Sequence, residues 1–149
     1  MGGPRWRLVA LGIVIGVLAG GGIAWAVTSS GSGSHSAKSF ALRGSLRLVG
    51  GATASGPTSE DCTGYGGYDD IVPGAAVTVY DANGSVVATG LLGTGRPKSP
   101  TDNSVCSFPV TVPGVPSGSR FYSVEITHRG KVTVSAADAQ AGKFAATLG

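Results

Sequence analysis

Histidine and cysteine are scarce, because this chain of 149 residues contains only two of each. Metal centres built from nitrogen and sulfur ligands need more of both, so such a centre is excluded. The glycine-rich phosphate-binding signatures and the G-x-S-x-G nucleophile elbow are absent as well. His128, the one histidine beyond the N-terminal third, ends a strand pattern and is better explained as an exposed turn residue than as a catalytic base. We therefore expect no enzymatic activity and no cofactor.

Charge is sparse too, since Asp, Glu, Lys and Arg together make up 13% of the residues. Arg5 and Arg7 precede an apolar segment, and the remainder carries nine Lys or Arg against eight Asp or Glu. A domain this close to neutral lacks the basic surface that binds DNA or RNA, which excludes a nucleic-acid partner. Low charge together with 26 glycines and many β-branched residues favours an all-β fold.

The longest uncharged apolar run is the segment Leu8–Val27. As a helix it would span about 30 Å, the thickness of a bilayer core. Arg5 and Arg7 lie just before it, and no Lys or Arg follows until Lys38. This charge bias predicts a single-pass transmembrane helix within residues 1–27, with the N-terminus in the cytoplasm and the domain on the extracytoplasmic side of the cell membrane.

A cleaved signal peptide is the alternative interpretation, because Ala24–Ala26 has the A-x-A form of a cleavage site. Cleavage after Ala26 would secrete the domain, so both interpretations export it. If the helix is kept, Gly12, Gly16 and Gly20 give it a smooth face on which two helices could pair as a weak homodimer, although glycine is common in membrane segments. Residues 28–39 are rich in Ser and Gly and predict a flexible linker.

From residue 40 onward, apolar and polar residues alternate, which is the pattern of half-buried strands. Asp81–Gly84 interrupts the pattern as a hairpin turn, and Pro109 predicts an edge position or a bulge in its strand. Ser135–Gly142 is the one weakly helical stretch. Seven short strands separated by turns predict a seven-stranded antiparallel β-sandwich over residues 40–149.

The two cysteines, Cys62 and Cys106, would both lie on the oxidising side of the membrane. This predicts a disulfide between them, with two free buried thiols as the alternative. Because antiparallel strands alternate in direction, the connections at residues 50–74, 93–105 and 129–131 should lie at one end of the sandwich. Long loops held in place are often functional, so this end is the candidate binding surface.

The loop Ser59–Gly74 carries two tyrosines among glycines. Exposed tyrosines are frequent binding anchors, but either ring could instead fold back onto the core. The candidate binding residues at this end are Tyr65, Tyr68, Asp69, Asp70, Arg96 and Arg129.

The same loop is acidic, with carboxylates at Glu60, Asp61, Asp69 and Asp70. They could supply oxygen ligands to Ca²⁺ or cap their own turns, but their spacing does not match an EF-hand loop and we assign no metal ligand. Asp69 or Asp70 could also serve a small hydrolase, for which the sequence offers no second catalytic group. Pairing of this loop with the basic residues of the neighbouring loops is the interpretation we favour.

Two segments resemble a known family. Gly74–Leu92 (GAAVTVYDANGSVVATGLL) and Phe108–Ile126 (FPVTVPGVPSGSRFYSVEI) are similar to signature runs of transthyretin-like, carboxypeptidase-regulatory-type domains. The resemblance covers about a third of the chain and implies a non-catalytic accessory or adhesive β-sandwich. Some relatives form a Lys–Asn isopeptide bond, which we do not expect here, because the last strand contains no Asn. The whole layout also resembles small exported proteins of high-GC bacteria.

These observations predict a membrane-anchored, extracytoplasmic binding module without catalytic activity, whose partner is an envelope protein or a polysaccharide. A Ca²⁺-dependent adhesive or structural envelope domain is the first alternative. A small hydrolase that uses an acidic residue is the second.

Overall fold

The computed structural model describes residues 38–54, 60–99 and 102–149. The predicted anchor or signal peptide, its glycine face and nearly all of the predicted linker lie outside the described residues. Among the residues that are described, no helix combines the length and the apolar character that crossing a membrane would require.

The described residues form ten strands and one short helix. In chain order these are β1 (Ser39–Val49), β2 (Ala52–Ala54), β3 (Cys62–Gly64), β4 (Ala76–Tyr80), β5 (Val86–Leu92), β6 (Arg96–Ser99), β7 (Asp102–Pro116), β8 (Phe121–Ile126), β9 (Lys131–Ser135), α1 (Ala136–Gln140) and β10 (Phe144–Leu148). The all-β class is confirmed, and β1 begins one residue before Phe40, where the strand pattern of the sequence begins.

Seven strands follow one another in a single hydrogen-bonded order, β10-β1-β7-β5-β4-β8-β9, and β6 adds to β7. This sheet curves until it is nearly closed into a barrel. Strands β2 and β3 form a separate two-stranded sheet. One pairing departs from the expected antiparallel pattern, since β10 runs parallel to β1. β10 runs opposite to β9, as β9 does to β8, but α1 carries the chain across to β1, which runs in the same direction as β10.

The alternation of apolar and polar residues along the strands determines which side chains form the hydrophobic core. Leu42, Leu46 and Leu48 of β1 point inward and are buried. They meet inward residues of β7 and β8, of which Phe108 and Tyr122 are the largest. Tyr122 is buried without loss of hydrogen bonding, because its hydroxyl donates to the carbonyl of Pro116 at 2.7 Å. Each large apolar side chain removed from water in this way stabilises the fold by about 1.5–3 kcal/mol.

Pro109 lies in a central strand, which corrects the expectation of an edge position or a bulge. It pairs with Ser45 of β1 on one side. Its other side faces the break between β5 and β6, where Gly93 donates its N–H to the Pro109 carbonyl at 2.8 Å. A Cβ at Gly93 would lie 2.6 Å from the Pro109 ring, so glycine leaves room for the proline. Proline has no N–H to donate to a neighbouring strand. At Pro109 that donor would point towards the interruption between β5 and β6, so its absence is tolerated there.

Strand directions confirm the predicted distribution of loops. β1 and β5 end, and β4 and β9 begin, at the same end of the barrel. We call this end the rim and define it as residues 60–74, 93–99 and 127–130. The Asp81–Gly84 hairpin and the loop of residues 117–120 lie at the opposite end.

Candidate functional site

The rim is anchored by a disulfide between Cys62 and Cys106, which confirms the predicted pair and rules out free thiols. Both residues are fully buried. The N–H of Cys62 donates to the carbonyl of Gly95 at 3.0 Å, which attaches the loop to the start of β6. A Cβ at Gly95 would come within 2.7 Å of the Cys106 sulfur, so the close approach requires glycine. The long loop is thus joined to β7 covalently and to β6 by backbone contact.

The two tyrosines of the loop have different environments, which settles the alternative left open by the sequence. Tyr68 is half-buried, and its ring covers Gly51 so closely that a Cβ there would collide with it. The backbone behind it is fixed, because Ile71 is fully buried and donates its N–H to the Tyr68 carbonyl at 2.9 Å. Tyr65 is 65% exposed. Only Tyr65 therefore presents its ring to solvent.

Asp70 and Arg129 form the most connected polar contact of the rim. Arg129 donates through Nη2 and Nε to the two oxygens of Asp70, the second bond measuring 3.0 Å. Its Nη2 also donates to the carbonyl of Gly67, and its guanidinium lies 4.9 Å from the ring centroid of Tyr68. Arg129 thus joins the loop to the β8–β9 turn in three ways.

The ionised forms of both Asp70 and Arg129 are favoured in the folded protein. The hydrogen bond from Arg129 lowers the pKa of Asp70 to about 2 from its usual 3.8, with a further contribution from Thr127. The same hydrogen bond raises the pKa of Arg129 above its ordinary value. Both groups therefore remain charged at any physiological pH.

The β8–β9 turn is strained where it meets Asp70. Thr127 and His128 have φ values of 50° and 74°. A β-branched residue rarely adopts this left-handed conformation, because its branched side chain crowds the backbone. The hydroxyl of Thr127 donates to Asp70 at 2.5 Å, so the same carboxylate holds both the strained residue and Arg129. His128 is exposed, as expected from the sequence.

Arg96 makes a second, more exposed pair. Its Nη1 lies 3.0 Å from Oδ1 of Asp61 and also donates to the carbonyl of Glu60 at 3.2 Å. The side chains of Arg96 and Asp61 are 64% and 47% exposed. The expected pairing of the acidic loop with its basic neighbours is therefore confirmed at two places.

Asp69 is exposed and accepts only a long, 3.4 Å hydrogen bond from the N–H of Gly67. Within the described ranges, His, Cys, Asp and Glu side chains nowhere gather in the groups of three that could hold a metal ion. Asp61 and Asp70, two of the four candidate calcium ligands, are each held by an arginine instead.

Two features of this surface were not anticipated from the sequence. Thr127 was not considered, because its partner Asp70 lies 57 residues away in the chain. The second is a polar contact on the outer face of β4 and β8, where the hydroxyl of Tyr80 donates to Glu125 at 2.6 Å. This hydrogen bond raises the pKa of Tyr80. Tyr80 and Glu125 come together because their neighbours Val79 and Val124 pair across β4 and β8. No local sequence pattern reveals that register.

A cavity of about 370 Å³ lies at the opposite end of the barrel, lined by the Asp81–Gly84 hairpin and by residues 116–120. Its polar groups are largely occupied by the loops themselves. Asp81 accepts from the N–H groups of Asn83 and Ser85, and the Ser119 hydroxyl accepts from Ala82 and donates to Phe121. We therefore regard the rim as the better candidate site.

The carboxylates of the rim are paired or solvated. Asp70 accepts hydrogen bonds from Thr127 and Arg129, Asp61 pairs with Arg96, and Asp69 is exposed. Comparison with known proteins adds no assignment, because no family model, no curated protein and no solved structure matches this chain.

Proposed function

We propose that this chain is a binding module without catalytic activity, held on the extracytoplasmic side of the membrane by its N-terminal segment. The observation that carries the proposal is Tyr65, a large aromatic side chain that is 65% exposed on a loop fixed by a disulfide. Tyrosine offers a wide amphipathic contact surface and loses little conformational entropy when it is ordered.

The surroundings of Tyr65 suit a preorganised site. Its N–H donates to the carbonyl of Gly51 at 2.8 Å, which ties its backbone to the sheet. Tyr68 and Arg129 pack behind the loop, and the exposed Asp69 supplies a polar margin. A loop that is already ordered does not lose that entropy again on binding, so more of the contact energy appears as affinity.

The fold assignment is part of the same proposal. Of the two segments that resemble transthyretin-like domains, Gly74–Leu92 forms the β4–β5 hairpin, and Phe108–Ile126 contains the second half of β7 and all of β8. They pair with each other through β4–β8 and β5–β7. Under this proposal the chain is related to those domains, which usually serve in accessory or adhesive roles. Under this proposal the partner is an envelope protein or a polysaccharide, and release after Ala26 would give a secreted form of the same module.

Capture from a cell-envelope extract, with the full chain in detergent as bait, tests the proposal. We expect Tyr65→Ala to lower capture of the partner at least tenfold while the melting temperature stays within about 1 °C, as for an exposed hot-spot residue. Val86→Ala is the matched control, because Val86 is 58% exposed at the start of β5, at the end opposite the rim. Equal capture by wild type and Tyr65→Ala would overturn the rim as the binding surface.

Tyr68 is unsuitable for this test. Its half-buried ring packs on Gly51 and Arg129, so Tyr68→Ala should destabilise the loop and lower capture for structural reasons. No specific observation favours the calcium-dependent or hydrolase alternatives, since the arginines already engage Asp61 and Asp70.

A further inference from the structure

The barrel has a seam between β9 and β10, the two ends of the sheet. Among the described strands, β9 is hydrogen-bonded only to β8, and β10 only to β1. α1 connects the two strands at the end opposite the rim. Each strand therefore presents an unpaired row of backbone N–H and C=O groups to the seam. Such a row is a template for another extended chain.

The apolar interior reaches solvent through this seam. Val132 of β9 pairs with Val124, a buried core residue, so both side chains point inward. Val132 is nevertheless 40% exposed. Across the seam, Leu148 pairs with the buried Leu48 but is itself only half-buried. An inward-facing valine is exposed here because no further strand covers it.

Charge on the outer face indicates what kind of strand would fit. Arg43 and Arg47 of β1 are exposed, Lys143 directly precedes β10, and Lys131 begins β9. Strands β1, β9 and β10 contain no Asp or Glu. Within the described residues, Arg43, Arg47 and Lys143 form no ion pair. On the β9 flank, Lys131 pairs across the strands with Glu125 of β8 and lies 3.5 Å from the ring centroid of Tyr80. The flank formed by β1 and β10 is therefore the one that attracts negative charge.

From these observations we propose that the seam binds an acidic, extended segment of a partner polypeptide as an added strand. Because side chains alternate across a strand, its apolar residues would face Val132 and Leu148 while its acidic residues lie on the outer face, towards the basic flank formed by β1 and β10. This inference rests on the proposed binding function and names the partner's chemistry. Arg129 and Gly130 line both the seam and the rim, so the two surfaces are continuous.

The probe is a heptapeptide, Glu-Val-Thr-Val-Thr-Val-Glu, blocked at both ends and titrated against the full chain in detergent by NMR and fluorescence anisotropy. Val132→Lys places an inward-pointing charge on the edge, a device by which natural sheets prevent strand addition. Thr133→Lys is the matched control, because Thr133 is the next residue of β9 and pairs with Ser123 on the outer face. Both variants add the same positive charge.

We expect the peptide to bind and to shift the amide signals of β9 and β10. Its affinity should fall at least tenfold in Val132→Lys but not in Thr133→Lys. The same peptide with alternate backbone nitrogens methylated should also bind at least tenfold more weakly, a result that does not depend on any protein variant. Equal binding of the methylated peptide, or no binding at all, would overturn the proposal.

An alginate oligomer serves as the acidic polysaccharide probe. If alginate binds and both lysine variants strengthen its binding, while the peptide does not bind, the basic residues beside the seam recognise charge alone and the strand proposal fails. Tyr65→Ala separates this outcome from the rim proposal. Partner capture that still depends on Tyr65 would keep the proposed function even if the seam binds nothing.

Discussion

The two ends of this barrel are held by different kinds of contact. At the end opposite the rim, Asp81 accepts hydrogen bonds at 2.9 Å from Asn83 and Ser85, two and four residues further along the chain. Gly84 completes the turn with a φ of 81°. At the rim, by contrast, the disulfide joins residues 44 positions apart, and Asp70 bonds to Arg129, 59 positions away.

The difference teaches which end depends on the rest of the fold. The Asp81–Gly84 turn has one contact with a distant residue, the hydrogen bond from Ala82 to Ser119, but Asp81 and Gly84 close it from within. Its conformation is therefore specified mainly by its own residues. The rim loop acquires its shape only when β7, β8 and β9 have brought Cys106 and Arg129 beside it. The exposed position of Tyr65 is therefore a product of the whole sheet, and damage at the rim should leave the other end intact.

Removal of the disulfide should have the largest effect. For a separation of 44 residues, the chain-entropy model gives a loss of about 4 kcal/mol in the free energy of unfolding. We expect this loss in the double variant Cys62→Ala, Cys106→Ala, measured by urea denaturation. Under native conditions, hydrogen exchange should accelerate more at the Ile71 amide than at the Gly84 amide.

The unreduced and reduced wild type serve as the control for that variant. A loss below about 1 kcal/mol, or equal acceleration of exchange at both ends, would show that the rim is not held by its long-range link.

Loss of the Asp70 carboxylate should have the second-largest effect on stability. Asp70→Ala removes the acceptor of Thr127 and Arg129 and leaves the strained turn without its main contact. Because the Asp70 side chain is 42% exposed, we expect a destabilisation of about 1 kcal/mol, or roughly 4–8 °C in Tm. Asp61→Ala is the comparison, since it breaks the more exposed pair with Arg96 and should cost less than about 0.5 kcal/mol. Equal losses would remove the distinction between the two pairs.

Those features of the fold that depend on local pattern could be predicted from the sequence. The alternation around Leu42, Leu46 and Leu48 identified β1, and the Asp81–Gly84 turn identified the β4–β5 hairpin. Ser135 caps α1 through a hydrogen bond from the Asp138 N–H at 3.1 Å, in the stretch expected to be weakly helical. The disulfide followed because the chain offers a single pair of cysteines.

The features that depend on tertiary contact could not be predicted. The parallel β1–β10 pairing arises because β10 joins β1 and not its predecessor β9, and no residue pattern in β10 signals that partner. Pro109 indicated an edge strand, because the break in the neighbouring strand that accommodates it is visible only in the sheet. Which tyrosine would be exposed was decided by Gly51, whose missing side chain leaves room for the ring of Tyr68.

Asp81→Ala tests the other side of the comparison. The change removes the acceptor of two backbone N–H groups and should cost about 1 kcal/mol in urea denaturation. Hydrogen exchange should increase at Gly84 and remain unchanged at Ile71, the reverse of the disulfide variant. Asp69→Ala is the control, because this exposed carboxylate accepts only one long hydrogen bond. Faster exchange at the rim in Asp81→Ala would mean that the two ends are coupled.

Lowering the pH should weaken the rim as the loss of the Asp70 carboxylate does. This effect should be the smallest of those predicted. The pKa of Asp70 is held at about 2 in the folded protein, below its usual 3.8, mainly by the hydrogen bond from Arg129. Its contribution to stability is therefore complete above about pH 4 and is lost as the pH falls towards 2, where the folded state also takes up the proton. We expect a loss of at most about 1 kcal/mol in the free energy of unfolding over this range, because the carboxylate is 42% exposed.

Asp70→Asn should flatten this part of the stability profile, whereas Asp61→Asn should leave it steep. Matching slopes in wild type and Asp70→Asn would show that the Asp70–Arg129 contact does not hold the rim, and that its order comes from the disulfide alone.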